Sequence, residues 1–257
     1  MKLSIKKMLM LCFVLLGLSI PQISLSHPFD KIKCLTENYP PYNFFQDGRL
    51  QGIAVDLLDV MLKKIKADTD VQEIEVMPWA RAYHDVLYNS DTCIFSTTRT
   101  EKREKLFKWV GPIASTTIAL IAKKNSNIYI NSARDLSNYR IGVVREDIGE
   151  QLLLAAGMQL KDLKRLGGVH ATRRSINKLN FDRIDAWAYE KNVALWEIKK
   201  NGFNSDDYLV VYKLFDGNLY YAFNIETPDE LILELQTAFD EIKEEGIHQK
   251  IMDKYLR

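Results

Sequence analysis

Between residues 32 and 242, short β-rich runs alternate with stretches whose apolar residues recur at helical spacing, and this alternation points the chain to an α/β architecture. Ile32 to Thr36 reads as a strand and runs into Asn38-Tyr39-Pro40-Pro41-Tyr42, where two prolines stop both helix and sheet and stiffen an aromatic loop. After Gly52, the residues Ala54, Leu57, Leu58, Met61, Leu62 and Ile65 mark an amphipathic helix. A strand at 74–77 leads to Pro78 as the first residue of a helix with Trp79, Ala82, Tyr83, Val86 and Leu87 on one face. Cys93 to Thr97 is a third strand, and Thr100 is placed to cap a short helix through Lys105. Thr116 to Ala122 reads as a long strand leaving a first lobe.

A second set follows: strand 140–144, helix 149–156 stopped by Gly157, helix 172–179, strand 185–189 and helix 192–200 closed by Gly202. Leu209 to Leu214 and Leu219 to Asn224 read as two strands either side of Asp216-Gly217. Thr227-Pro228-Asp229-Glu230 then opens a closing helix whose apolar face is Leu231, Leu235, Ala238, Phe239 and Ile242.

The chain has 257 residues, 47% hydrophobic and 27% charged, which excludes a disordered chain, a collagenous repeat and a polytopic membrane bundle. Its first 26 residues differ from the rest. Lys2, Lys6 and Lys7 precede an apolar run from Met8 to Ile20, and Ser24-Leu25-Ser26 puts small residues at alternate positions, as in a cleavable secretory signal peptide. The run is too short for a spanning helix, which needs about 20 residues. Leu11, where a small residue is wanted before Cys12, argues against a lipid attachment. Cleavage removes three of 35 basic residues and none of the 34 acidic ones, so the mature chain has a net charge of −2. That balance gives no reason to expect nucleic acid as a partner. Localisation to the periplasm is expected, and there Cys34 and Cys93, the two cysteines left after cleavage, are free to pair.

Six blocks in order, Thr36 to Tyr42 (TENYPPY), Gly52 to Leu57 (GIAVDL), Ser96 to Arg103 (STTRTEKR), Gly142-Val143, Arg183 to Glu190 (RIDAWAYE) and Glu245-Gly246 leading to Lys254-Tyr255-Leu256, carry a resemblance. They resemble the polar amino acid (family 3) periplasmic solute-binding proteins of bacterial ABC importers. Pro78-Trp79-Ala80-Arg81-Ala82 and Trp109-Val110-Gly111-Pro112 look like one branch of that family, with a Pro-Trp-x-Arg-Ala motif. The resemblance implies a two-lobed periplasmic-binding-protein fold of type II, its lobes joined by two crossing strands. Residues 27–117 and 217–257 are expected to form lobe 1 and residues 118–216 an inserted lobe 2, with crossings near Thr117 and Gly217.

By the same resemblance, Arg103 is the cation for a ligand carboxylate, with a planar fork suited to two parallel hydrogen bonds. A helix start beneath it would add positive potential. Ser96 and Thr98 match positions whose hydroxyls or amides meet the same ligand, and Glu190 matches the acid that receives the ligand amine. Tyr39 matches a position that packs on the ligand; Tyr42, Phe44 and Trp79 extend that aromatic wall, although Trp79 shares a helical face with Tyr83 and Val86 and equally suits the core. Arg81 is a candidate second cation. One departure stands out: Glu146-Asp147-Ile148, with Arg145 before them, stands where amino acid receptors commonly carry Gly-Ser-Thr, and the added acids suit a more cationic ligand or plain solvent exposure. The strands of Cys34 and Cys93 are implied to be neighbours, making a disulfide or two buried thiols the alternatives there.

His27, His84, His170 and His248 lack paired metal-ligand spacing, and no nucleophile elbow, phosphate loop or dinucleotide fingerprint occurs. The expectation is a binding protein without cofactor or metal, a monomer that passes a small polar, amino-acid-like or carboxylate ligand to an ABC permease. Two alternatives remain at this level. One is an enzyme on the same scaffold, as in cyclohexadienyl dehydratases and lytic transglycosylases; the other is a soluble ligand sensor for a membrane signalling partner.

Overall fold

The computed structural model describes residues 26–256, so the signal-peptide reading lies almost wholly outside the described residues. Two strands of 17 residues each organise the molecule: β6 (Phe107–Lys123) and β10 (Tyr208–Asn224). They pair antiparallel along their whole lengths, from Phe107 opposite Asn224 to Lys123 opposite Tyr208. Around them stand β1 (Lys33–Thr36), β4 (Glu75–Val76) and β5 (Thr92–Thr98) on one side, and β7 (Ile141–Val144), β8 (Lys164–Leu166) and β9 (Ala186–Glu190) on the other. The resulting eight-stranded order is β4-β1-β5-β10-β6-β9-β7-β8, with β2 (Phe44–Gln46) and β3 (Arg49–Gln51) forming a separate hairpin. Parallel pairing of β1 with β4 and β5, and of β7 with β8 and β9, is confined to the two flanks. Each flank is the sheet of one lobe.

Helices cover both lobes. Helices α1 (Ile53–Lys64), α2 (Trp79–Tyr88), α6 (Asp229–Glu244) and α7 (Ile247–Leu256) belong to the first, and α3 (Ile148–Ala155), α4 (Ala171–Asn180) and α5 (Lys191–Lys200) to the second. The apolar stripes read from sequence are the buried faces: Leu57, Leu58, Met61 and Leu62 on α1, and Leu231, Leu235, Phe239 and Ile242 on α6, are at most 4% exposed. Burying side chains of this kind stabilises by about 1.5–3 kcal/mol each, before the entropy of ordering them is subtracted.

Three sequence expectations change. Residues 209–224 are one strand and not two, because Asp216 and Gly217 pair with Thr117 and Thr116 across the sheet instead of turning. The preceding strand begins at Phe107, well before Thr116, despite Gly111 and Pro112. Residues 100–106 are not a helix. Three-residue closures, Arg103 to Thr100 (3.0 Å), Glu104 to Glu101 (3.3 Å) and Leu106 to Arg103 (3.0 Å), make successive tight turns, since β6 starts too soon for a helical nucleus to propagate. Arg103 therefore has no helix dipole beneath it.

Glycine is required at position 52, where the aromatic loop meets α1. Its φ of +129° suits no other residue, and a Cβ there would overlap the Tyr42 carbonyl. This close approach lets Ala54 donate to the Tyr42 carbonyl (2.8 Å) and Ile53 to that of Pro41 (3.1 Å), fixing the loop on the helix start.

Cys34 and Cys93 face each other in the parallel register of β1 and β5, as free thiols with sulfurs 2.8 Å apart, both buried. Burial first, then the neighbouring thiol, holds the Cys93 thiol well above its usual range. Facing partners on adjacent strands lie within reach of a disulfide. We expect the mature protein, recovered from an oxidising compartment and denatured without reductant, to titrate with no free thiol. A bridge closing so long a loop stabilises by about 4 kcal/mol on the chain-entropy account. Two thiols per chain would mean that the pair stays reduced.

Candidate functional site

Where the lobes face each other, side chains from both are buried. Arg103 is 1% exposed, Asp147 4% and Glu190 0%, and Tyr39, Tyr42, Trp79 and Tyr189 are buried with them. From the first lobe, the tight turns after β5 direct Arg103 inward. Its Nη1 donates to the Thr98 carbonyl at 3.1 Å, and its guanidinium carbon lies 5.0 Å from the Tyr83 ring centre and 5.4 Å from that of Trp79. Such cation–π contacts hold a guanidinium without neutralising it. Nε reaches Gln151 of the other lobe at 3.3 Å, while Nη2 is buried without a partner. Burial lowers the Arg103 pKa, opposed by Tyr83, Asp147 and Tyr39.

From the second lobe, Glu190 ends β9 and caps α5. Its Oε2 accepts from the Val193 amide at 2.7 Å, whereas Oε1 is buried and closes no hydrogen bond. The carboxylate is thus both the structural cap and a free acceptor. Desolvation pushes its pKa up to about 7, against the pull of the Val193, Thr117 and Asn192 amides and the Thr116 hydroxyl.

Asp147 precedes α3, and the same balance governs it: burial raises its pKa to about 6, while Arg103 and the Ile148 and Gly149 amides pull downward. Its Oδ2 has no partner. Gly149 brings this helix start against β9, since a Cβ there would lie 2.7 Å from the Ala188 carbonyl. The turn is held from behind by Glu150, which accepts from the Glu146 amide at 3.1 Å and is clamped by Arg165.

Tyr39 links the three charged groups. Its phenol pKa is raised by burial first, then by Glu190 and Asp147, and its hydroxyl is also felt by Arg103. Its ring packs edge-on against Tyr189 (5.6 Å) and tilted against Tyr42 (5.8 Å). Contacts across the divide close the rim: Trp79 Nε1 donates to the Glu146 carbonyl (3.1 Å), Asn38 to Glu197 (3.1 Å), Asn192 to the Tyr42 hydroxyl (3.4 Å), and Phe44 packs on Trp196 (5.3 Å). A hollow of about 60 Å³ remains between the lobes, lined by Glu37, Asn38, Pro78 and Trp79 on one side and Val144, Arg145, Gly168 and Thr172 on the other. A larger one, about 440 Å³ among Asp30, Lys33, Asp70 and Glu75, lies on the outer edge of the first lobe; Arg103, Asp147 and Glu190 line neither hollow.

The sequence candidates fall into three sets. Arg103, Glu190, Tyr39, Tyr42 and Trp79 come together between the lobes, Trp79 also joining the core with Tyr83 and Phe107. Ser96 and Thr98 support them: the Ser96 hydroxyl is taken by Asn43, and Thr98 contributes its carbonyl to Arg103. Arg81 stays outside; it is exposed, and its charge acts on Glu75 at the surface. It stands two residues after Trp79 on α2, and when the indole faces inward that spacing turns Arg81 toward solvent. Tyr189 was not singled out in the sequence, although it alternates with Trp187 on β9 and stacks on it at 4.4 Å. Asp147 was visible only as a departure from a pattern.

Among the described residues no group of three or more His, Cys, Asp or Glu side chains is placed to hold a metal, and no helix is long and apolar enough to cross a membrane. The arrangement can grip a small molecule that presents an acceptor to Arg103 and donors to the carboxylates.

Several known proteins resemble this chain. The arginine-binding extracellular protein ArtP of Bacillus subtilis (strain 168) is 22% identical over 223 residues, covering 85% of this chain and 83% of the relative. An ancestral arginine-binding protein bound to arginine shares the fold with a TM-score of 0.72 at 24% identity, over 88% of this chain and 99% of that one. A histidine kinase sensor domain with similarity to periplasmic binding proteins gives 0.75 at 17% identity, over 88% and 96%. The profile of bacterial extracellular solute-binding proteins, family 3, matches residues 32–257, most of the chain. On that match, and with a two-lobed α/β fold built to it, the chain belongs to the bacterial extracellular solute-binding proteins, family 3.

Proposed function

We propose that the protein is a periplasmic receptor that captures a small amino-acid-like solute between its lobes and delivers it to an ABC importer. One observation carries the reading: Arg103 Nη2 from one lobe and Glu190 Oε1 from the other are buried and without hydrogen-bond partners, and Tyr39 interacts with both residues. Unpaired buried charges are unfavourable, and a zwitterion satisfies both at once. Arg103 takes the carboxylate, Glu190 the ammonium, and Tyr39, Tyr42 and Trp79 wall the remainder. Because the two charges stand on different lobes, only a closed arrangement satisfies both, so the ligand favours closure. The hinge in this reading lies near Thr117 and Gly217, with residues 27–117 and 217–257 as one lobe and 118–216 as the other. The receptor acts as a monomer and breaks no bond.

A thermal-shift screen of the mature protein against amino acids, small carboxylates and amines tests this. A ligand present at about 100 times its Kd stabilises the native state by about 2.7 kcal/mol, which for this length raises Tm by roughly 5 °C or more. A flat response to all three classes would remove the receptor reading.

A further inference from the structure

Charge counting at the site says more than the receptor reading, on which it rests. Among the described residues the buried charged side chains are Arg103, Asp147, Glu150, Glu190 and Glu197. Glu150 is answered by Arg165, and Glu197 by the amides of Asn38 and Asn201. That leaves Asp147 and Glu190 with the single cation Arg103, and each of the three has a buried polar atom without a hydrogen-bond partner. Arg103 and Asp147 act on each other electrostatically but form no ion pair, so neither consumes the other. Arg145, two residues before Asp147, is exposed, lies along Gly167 and lines the interlobe hollow together with half-buried Glu37, so these two opposite charges offset each other and leave the count unchanged.

A zwitterion of zero net charge would leave this space with an excess buried carboxylate. We propose that the ligand carries a net charge of +1, with two cationic poles held by Glu190 and Asp147 and one anionic pole held by Arg103. In chemical class this is an amino acid with a basic side chain. Asp147 is then the specificity residue, standing at the start of α3 where its free oxygen can accept from the second pole. Neutral and acidic amino acids are disfavoured because they leave it unanswered.

The test is calorimetry on the mature protein with L-lysine, L-arginine, L-glutamine, L-glutamate and 1,5-diaminopentane. L-lysine or L-arginine should bind at least about 30-fold tighter than L-glutamine or L-glutamate, the loss expected when one partner of a buried charge pair is missing. The diamine, without a carboxylate for Arg103, should bind more weakly than L-lysine. Asp147→Asn, which keeps a good helix cap, should erase most of the preference for basic over neutral amino acids, whereas a merely structural Asp147 would weaken every ligand alike. L-glutamine or L-glutamate binding as tightly as the basic pair overturns the charge assignment while leaving the receptor intact. A diamine that binds more tightly than L-lysine overturns the three-pole arrangement. No binding by any probe, combined with a flat thermal-shift screen, overturns the receptor reading itself.

Discussion

Replacing Arg103 with alanine is expected to weaken ligand binding by about 3–5 kcal/mol, the range for removing one partner of a buried charge pair. On an exposed surface the same change would lose less than about 1 kcal/mol. The larger figure applies because Arg103 is 1% exposed and its Nη2 is buried without a hydrogen-bond partner. Nη1 is already committed to the Thr98 carbonyl, so the ligand meets a guanidinium whose orientation is fixed in advance. Arg103→Lys separates charge from geometry: it keeps the cation but loses the fork and its stacking against Trp79 and Tyr83, and its affinity should fall between the two extremes. Calorimetry of the three proteins with the tightest ligand from the screen decides. A loss under about 1 kcal/mol in Arg103→Ala would place the ligand elsewhere.

The fold was legible where one physical signal dominated. Helices α1 and α6 announce themselves because a single face must enter the core, and that need imposes the 3.6-residue recurrence of Leu57, Met61 and Leu62, and of Leu231, Leu235 and Phe239. Local punctuation misled where tertiary pairing overrode it. Gly111-Pro112 and Asp216-Gly217 are turn-forming pairs in isolation, yet both lie inside long strands whose partner is the other crossing strand. The closing α7, set off from α6 by Gly246 at φ +70°, has no fully buried residue to mark it and was seen only as part of a motif.

For the candidate site, the family resemblance pointed to Arg103, Glu190, Tyr39, Tyr42 and Trp79, and the fold buries all five. The helix start expected beneath Arg103, which would have added positive potential, does not form: tight turns and aromatic faces hold the residue instead. Asp147 could not be interpreted from the sequence alone. Exposed after Arg145 and Glu146 it would be one more solvated acid; its meaning comes from the fold burying it while leaving those two neighbours exposed.

Glu190→Gln should separate stability from binding in opposite directions. The native carboxyl has its pKa raised to about 7 from an ordinary 4.5. A group raised in the native state contributes stability that is complete below about pH 4.5 and is lost as pH rises through about 7. The ligand-free protein should therefore lose stability between pH 5 and pH 8, on the order of 3 kcal/mol from Glu190. Glutamine resembles the protonated acid: its oxygen can keep the Val193 cap and its amide can donate toward the unpartnered Thr116 hydroxyl. The variant should then melt several degrees above the wild type at pH 8 and close to it at pH 5. Asp147, pushed up to about 6, and Glu37, raised by burial and by Asp147, titrate in the same sense, so the variant keeps a shallower slope of its own. Tyr39 and Tyr42, which also face Glu190, have phenol pKa values raised further from this window and stay neutral through it. Binding runs the other way, because an ammonium is held by the charged form: affinity of the wild type rises with pH through about 7, and Glu190→Gln loses about 2–5 kcal/mol of it at pH 8. Melting curves at pH 5 and 8, with calorimetry at both, test the two halves independently. A variant no more stable than the wild type at pH 8 would mean that Glu190 is already satisfied within the protein and has nothing left to offer a ligand.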